Sequence, residues 1–189
     1  MLRNELKIAI RFTLLTTVLL GILYPLTVTA IGHFALPRQA DGELIVSNGQ
    51  VTGSQLIGQN FTAEQYFHGR PSAAGNGYDA TSSSPSNYAA SNQKLISRID
   101  GDVAHYAAEN KSEPVPIDLV TASGSGLDPD ISPAAAMFQA ARVANARHVP
   151  EATVRDLVQR HVEPRQFGIL GEERVNVLLL NMDLDRLAR

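Results

Sequence analysis

Twenty-six consecutive residues, from Phe12 to Pro37, include no Asp, Glu, Lys or Arg. As a helix, the stretch from Phe12 to Phe34 reaches roughly 35 Å, enough to cross a hydrocarbon core of about 30 Å. A helix this long buried in a water-soluble fold shows a polar stripe, whereas here only Thr, Gly, Tyr, Pro and His interrupt the aliphatics. The run therefore reads as a membrane span. Arg3, Lys7 and Arg11 precede it, with Glu5 the one acid, and that bias predicts an N-terminus inside. Residues 38–189 then lie outside, with 13 Lys and Arg against 18 acids.

A cleaved signal peptide is the rival reading, because Val28-Thr29-Ala30 forms a small-x-small site. The run is longer than a signal core of about 7–15 residues. It also continues through Ile31, Gly32 and Phe34, which favours a retained anchor. Thr13, Thr17 and Gly21 recur every four residues and let another helix approach closely. Pro25 removes one backbone bond and frees the Gly21 carbonyl, which a packed helix re-satisfies through its neighbours. These four positions predict packing against a partner helix, although Gly and Pro are common in membrane helices generally.

The organisation predicted is residues 1–11 as a cytoplasmic tail, 12–34 as the transmembrane helix and 35–189 as a soluble extracytoplasmic domain. The Asn48-Gly49 turn inside 43–52 predicts a hairpin, and 54–61 another short strand. From Gly69 to Asn92 the composition turns to Gly, Ser, Ala, Asn and Pro, predicting a long loop. Leu95, Ile96, Ile99, Val103 and Tyr106 follow helical spacing. Ser132-Pro133 opens a helix that runs to about His148 and buries Met137, Ala141 and Ala144. Val154, Leu157, Val158, His161 and Val162 make an amphipathic face. Arg174 to Asn181 reads as the best strand, with a short helical turn after it. The domain is predicted to be mixed α/β (α+β), anchored by the one N-terminal helix.

Composition excludes several chemistries. The chain has no Cys, so disulfides, thiolate metal sites and thiol catalysis are absent. A net charge of −3 argues against a nucleic-acid binder resting on a basic surface. The five His are scattered without metal-ligand spacing, so no metal site is expected. Two segments stand out. Asp118 to Thr121 reads as a strand leading into a loop with Ser123, Gly124, Ser125 and Gly126, ahead of the Ser132 helix start. That order suits either an anion site or a tight connection using glycine freedom. Tyr66, Phe67, His68, Gly69 and Arg70 precede Pro71 and make either a recognition turn or an aromatic anchor beside a surface turn. No acid is spaced to orient His68 as a base.

Taken in order, these segments resemble the C subunit family of the Kdp high-affinity potassium-transporting P-type ATPase of bacteria and archaea. The resemblance covers essentially the whole chain. It rests on the apolar helix with Tyr24-Pro25, on Gly53 to Phe61, on Tyr66 to Ala73 and on Asp118 to Pro129. Ile131-Ser132-Pro133, Arg142-Val143-Ala144, Gly171-Glu172 and Arg174 to Leu178 complete it. The chain departs from the family pattern at Ser82 to Ala89 and at Asp130, where the family often has His, so no family role is carried onto those positions. The resemblance implies an accessory, non-catalytic subunit with no cofactor of its own. ATP, magnesium and potassium are then handled by partners, a P-type ATP-hydrolysing subunit and a potassium-channel-like subunit. It further implies a catalytic chaperone that promotes ATP use. The flank charges conflict with direct contact between Ser123–Gly126 and cytoplasmic ATP, so that effect is expected to travel through the membrane helix or the external domain. The alternative function is a membrane-anchored extracytoplasmic module that binds a small anion.

Overall fold

The computed structural model describes residues 2–47 and 49–187. They fall into two compact units that divide between Leu44 and Ile45.

The first unit is dominated by continuous helix from Leu2 to Ala35, 34 residues with no buried position in its most apolar window. At 1.5 Å per residue it is about 50 Å long, and among the described residues it is the one helix long and apolar enough to cross a membrane. It comprises α1 (Leu2–Thr16), a π-helical stretch (Thr17–Leu23) and α2 (Tyr24–Ala35). Helix therefore continues back through residues read from sequence as a tail.

The π-helical stretch has a local cause. Pro25 has no N–H to close an α-type bond, and the chain before it widens, so that the Tyr24 N–H reaches the Leu19 carbonyl five residues back. Hydroxyls supply extra bonds on either side: Thr16 donates to Phe12 O at 2.8 Å and Thr27 to Leu23 O at 2.7 Å. A short helix, α3 (Pro37–Ala40), follows.

The second unit begins in the hairpin of β1 (Leu44–Ser47) and β2 (Gln50–Ser54). Gly49 takes the positive φ of 78° the tight turn needs, while Asn48 of the same motif lies outside the described residues. The strand expected over 54–61 does not form, and β2 ends at Ser54. There the Leu56 N–H donates to Ser54 Oγ at 3.1 Å, turning the chain, and the Gly58 N–H goes to Leu127 O at 2.8 Å. Residues 69–92 are irregular, as composition indicated.

Helix α4 (Gln93–Glu109) starts where Asn92 Oδ1 accepts the Lys94 N–H. Helices α5 (Pro133–Arg147) and α6 (Glu151–Arg160) pack on one another and supply half of the core cluster. Phe67, Leu119, Phe138, Val143, Val154, Val158, Val175 and Leu180 are buried there. On α5 the buried face is wider than predicted. Phe138, Gln139, Ala140 and Val143 lie inside beside Ala144, while Met137 and Ala141 are half-buried at its edge. The reason is that α5 is covered by several elements rather than one.

A small antiparallel sheet runs in the order β3 (Asp130–Ile131), β5 (Arg174–Asn176), β4 (Val162–Glu163). Ile131 and Val162 both flank Val175. Two strand expectations fail here. Asp118 to Thr121 is not a strand, since Ile117–Leu119 forms a 3₁₀ turn. The strand expected over 174–181 stops at Asn176, where α7 (Val177–Leu187) begins. Asn176 Oδ1 accepts the Leu179 N–H at 3.1 Å and caps that helix. Val177, Leu180 and Leu184 then point inward at helical spacing, which sequence alone does not distinguish from a buried strand over so few residues. The architecture is mixed α and β, as predicted.

Candidate functional site

The segment from Tyr66 to Arg70 has no regular secondary structure, yet Phe67 is buried and its neighbours are half-buried, so its N–H and C=O groups need partners. Two buried side-chain amides supply them. Asn181 of α7 accepts the Phe67 N–H at 2.8 Å through Oδ1 and donates to Phe67 O at 3.0 Å through Nδ2. Gln139 of α5 does the same for His68, accepting its N–H at 2.8 Å and donating to its carbonyl at 3.1 Å. The two amides stand where a neighbouring strand would, one on each of two successive residues. With both backbone groups satisfied, Phe67 is fully buried in the core.

Two arginines, Arg142 and Arg147, bind this segment and its approach, and a third, Arg70, reaches out from it. Arg142 Nε donates to Glu109 at 2.7 Å, its NH2 to Gln139 Oε1 at 2.7 Å, and its NH1 to the carbonyls of Glu64 and Tyr66. The guanidinium thus orients the amide that holds His68. Arg147 Nε donates to Gln65 O at 2.7 Å, its NH2 pairs with Asp185 at 2.6 Å, and its guanidinium carbon lies 4.9 Å from the centre of the Tyr66 ring. Arg70 pairs with Asp128 at 3.0 Å and donates through Nε to Thr121 O at 3.2 Å. Tyr78 OH donates to Arg70 O at 2.6 Å, and burial, reinforced by Asp128, pushes its phenol up to about 12.

Those contacts carry the Tyr66–Arg70 segment to the Ser/Gly loop, so the structure joins the two segments that sequence singled out separately. Arg70 grips Thr121 and Asp128 on either side of the loop, and Ser72 Oγ donates to Gly126 O. Within the loop, Ser123 Oγ accepts the Gly126 N–H at 2.9 Å and Ser125 Oγ accepts the Leu127 N–H at 3.1 Å. The Ser125 carbonyl receives the Ser84 N–H at 3.0 Å, so the 82–89 stretch packs directly on the loop. Gly126 has φ +68°, and a Cβ there would lie 2.7 Å from Ala74 N and 2.8 Å from Ser84 O. Gly124 meets nothing within 4 Å.

At the start of α5, Ser132 Oγ accepts the Ala135 N–H, and Asp118 accepts the Ser132 N–H at 2.6 Å. The amides of Gly126 and Leu127 in the loop, and of Ser132, Ala135 and Ala136 at the start of α5, are thereby bonded within the chain.

Two clefts border the assembly. One of about 400 Å³ is lined by His68, Arg70, Tyr78, His105 and Tyr106. Another of about 490 Å³ shares His68 and His105 and adds Glu64, Glu109 and Arg142. Burial, then the nearby Arg142 charge, lowers the His68 imidazole below 6.5. Its Nε2 faces the Ala63 carbonyl at 3.2 Å, which makes that nitrogen the donor of the neutral ring. Asp130 is shifted the other way. Burial raises it, with Asp128 and Glu163 adding to the effect, against Arg174 at 3.1 Å.

Thr13, Thr17, Gly21 and Pro25 lie in the first unit and are exposed. Thr17 and Gly21 fall within the π-helical stretch, and a Cβ on Gly21 would lie 3.8 Å from Thr17 Cγ2.

Sequence reading gave no site role to Gln139, Asn181, Tyr78, Arg147 or Asp185, and Arg142 entered it only within the Arg142-Val143-Ala144 motif. A signal for the two amides exists in retrospect. Gln139 sits between Phe138 and Ala140, and Asn181 follows Leu180, each a polar residue on a face that is otherwise apolar. Such a residue needs a partner inside the fold.

The match to known proteins runs nearly end to end. The family model "KdpC: K+-transporting ATPase, c chain" covers residues 6–186. A potassium-transporting ATPase KdpC subunit of Acidobacterium capsulatum is 54% identical over 184 residues, 97% of this chain and 99% of that protein. The corresponding subunit of Koribacter versatilis is 50% identical, over 97% of this chain and 95% of its own length. That of Caulobacter vibrioides is 56% identical over 172 residues, 90% of this chain and 87% of that protein. On this coverage the chain belongs to the KdpC family, the c chain of K+-transporting ATPases.

Proposed function

We propose that this accessory subunit is a catalytic chaperone. It binds its complex through the membrane helix and the external domain, and so promotes ATP use by a P-type catalytic subunit. The observation that carries the reading is the 34-residue helix whose apolar window is entirely unburied by the rest of the chain. Side chains such as Leu14, Leu20, Ile22 and Leu26 are each exposed by about half or more, so lipid and neighbouring helices are what remains to cover them.

Thr13, Thr17, Gly21 and Pro25 mark the packing side. Residues 1–11 face the cytoplasm of a cell or inner membrane and 35–189 the outside, following the basic flank of Arg3, Lys7 and Arg11. ATP and magnesium belong to the P-type subunit, and potassium to a channel-like subunit. The chain's own part is non-catalytic: the Tyr66–Arg70 and Ser123–Gly126 segments form a braced surface for partner contact. The density of bonds on those segments supports rigidity rather than turnover.

The test replaces residues 12–34 with poly-leucine and purifies the complex from membranes in mild detergent. Loss of co-purification and a raised KM for ATP are expected. Unchanged assembly and KM refute the helix's role. Because the chain has no Cys, a single cysteine at the exposed position Ser112 reports orientation. Labelling by an impermeant reagent from the cytoplasmic side alone refutes the topology.

A further inference from the structure

Residues 164–173 connect β4 to β5 and form a tight protruding turn outside the core. Gln166 and Leu170 bridge as an antiparallel pair, and an Arg165–Glu172 ion pair closes the base. Phe167 is 85% exposed, Ile169 76% and Leu170 53%. Phe167 is also left-handed, at φ 55°, next to Gly168 at φ 77°. A bulky side chain rarely takes that conformation, where Asn or Gly is the usual occupant.

Phe167 is therefore unfavourable on two counts, backbone conformation and exposed apolar surface. It gains no burial from its own chain in return. Strain combined with exposure at one residue points to a use outside the chain.

Ile117, 75% exposed, lies across a cleft of about 520 Å³ that Glu172, Glu173 and Arg174 also line. The cleft thus borders the β5 end of the same turn. A buried aromatic removes about 150–250 Å² of surface, well below the roughly 800 Å² per partner of a standard interface. The tip is thus an anchor within a larger contact.

We propose that Phe167, Ile169 and Leu170 insert into an apolar groove on another subunit of the same ATPase. This rests on the reading of the chain as an assembled subunit. Charge selects protein over lipid as the occupant. Peripheral membrane anchors surround their apolar residues with Lys and Arg, but here Glu163, Glu172 and Glu173 outnumber Arg165 and Arg174, in a domain with 18 acids against 13 basic residues. Anionic headgroups would repel that surround.

The experiment places a photo-crosslinking phenylalanine analogue at position 167 in the full chain, expressed with its complex in native membranes. In parallel, Phe167→Asn and Ile169→Gln are assayed for retention on the solubilised complex and for domain melting temperature. The proposal expects an adduct with a partner subunit. It expects retention to fall at least tenfold in Phe167→Asn while the melting temperature holds or rises, since Asn tolerates the left-handed backbone. Ile169→Gln weakens retention with the fold unchanged. An adduct with lipid, an adduct with a second copy of this chain, or no adduct overturns it, as does retention within twofold of the unsubstituted chain. A loss of retention that merely tracks a lowered melting temperature overturns it too. The unsubstituted chain separates the two readings: if it is not retained, the subunit reading fails, and if chain and variants are retained equally, only the anchor fails.

Discussion

Substituting Asn181 with Leu removes one of the two amides that pair the Tyr66–Arg70 backbone, at a site that stays filled. Asn181 is 1% exposed, and its two bonds serve the Phe67 N–H and C=O at 2.8 and 3.0 Å. Each buried backbone group left unpaired costs about 1–3 kcal/mol, so the two lose about 2–6 kcal/mol together. Greater apolar burial by Leu returns about 1–2 kcal/mol. The expected net loss is about 1–4 kcal/mol, a sizeable share of an ordinary domain's stability of about 5–15 kcal/mol. Urea unfolding of the full chain in mild detergent, followed by far-ultraviolet circular dichroism, measures it. With a slope of about 2 kcal/mol per molar, the midpoint moves down by about 0.5–2 M. Gln139→Leu should act similarly at His68. The double variant should lose less than the sum, because both amides hold one segment. A loss under about 0.5 kcal/mol for Asn181→Leu, the range of a neutral surface substitution, would falsify the view that these amides act as a substitute strand.

Two further outcomes are expected. Burial and Arg142 hold the folded His68 imidazole below 6.5, so as pH falls the unfolded chain takes up the proton first. Stability is full above about 6.5 and declines as pH drops through the folded value. His68→Gln keeps a donor for Ala63 O and should flatten that decline, while an unchanged pH profile rejects the assignment. Gly126→Ala forces Cβ against two backbone atoms at positive φ and should cost about 2–5 kcal/mol. Gly124→Ala meets open space and should stay within about 0.5 kcal/mol; equal effects on melting temperature at the two glycines count against the close packing of the loop.

Legibility in the sequence followed the range of the interaction. Local signals were readable. The Ser132-Pro133 start of α5 and the spacing of Val154, Leu157 and Val158 on α6 each depend on neighbours within a turn or two, although α6 stops at Arg160, so that His161 caps it and Val162 of the expected face enters β4 instead. The failures arose where a short apolar run fits two periods. Arg174 to Asn181 alternates poorly and carries an unbroken apolar run from Val177 to Leu180, and the Asn176 cap decided for helix over strand. The Asp118 stretch failed similarly, with Asp118 serving the α5 start fourteen residues on. The candidate segments themselves were visible as unusual composition, but their partners were not. Gln139 lies 71 residues from His68 and Asn181 lies 114 from Phe67.

By itself the sequence determined what the solvent imposes residue by residue: an uncharged run that water does not accommodate, a basic flank before it, an acidic domain after it, and no thiol anywhere. These follow from transfer free energies and side-chain chemistry, which act without knowledge of the fold. Only the tertiary structure decided that the Tyr66–Arg70 segment and the Ser/Gly loop are one assembly. Their bonds are made by buried amides and guanidinium groups whose usefulness depends on orientation at distances near 3 Å. Hydrogen bonding is directional, and no pattern along the chain fixes direction between residues brought together from far apart.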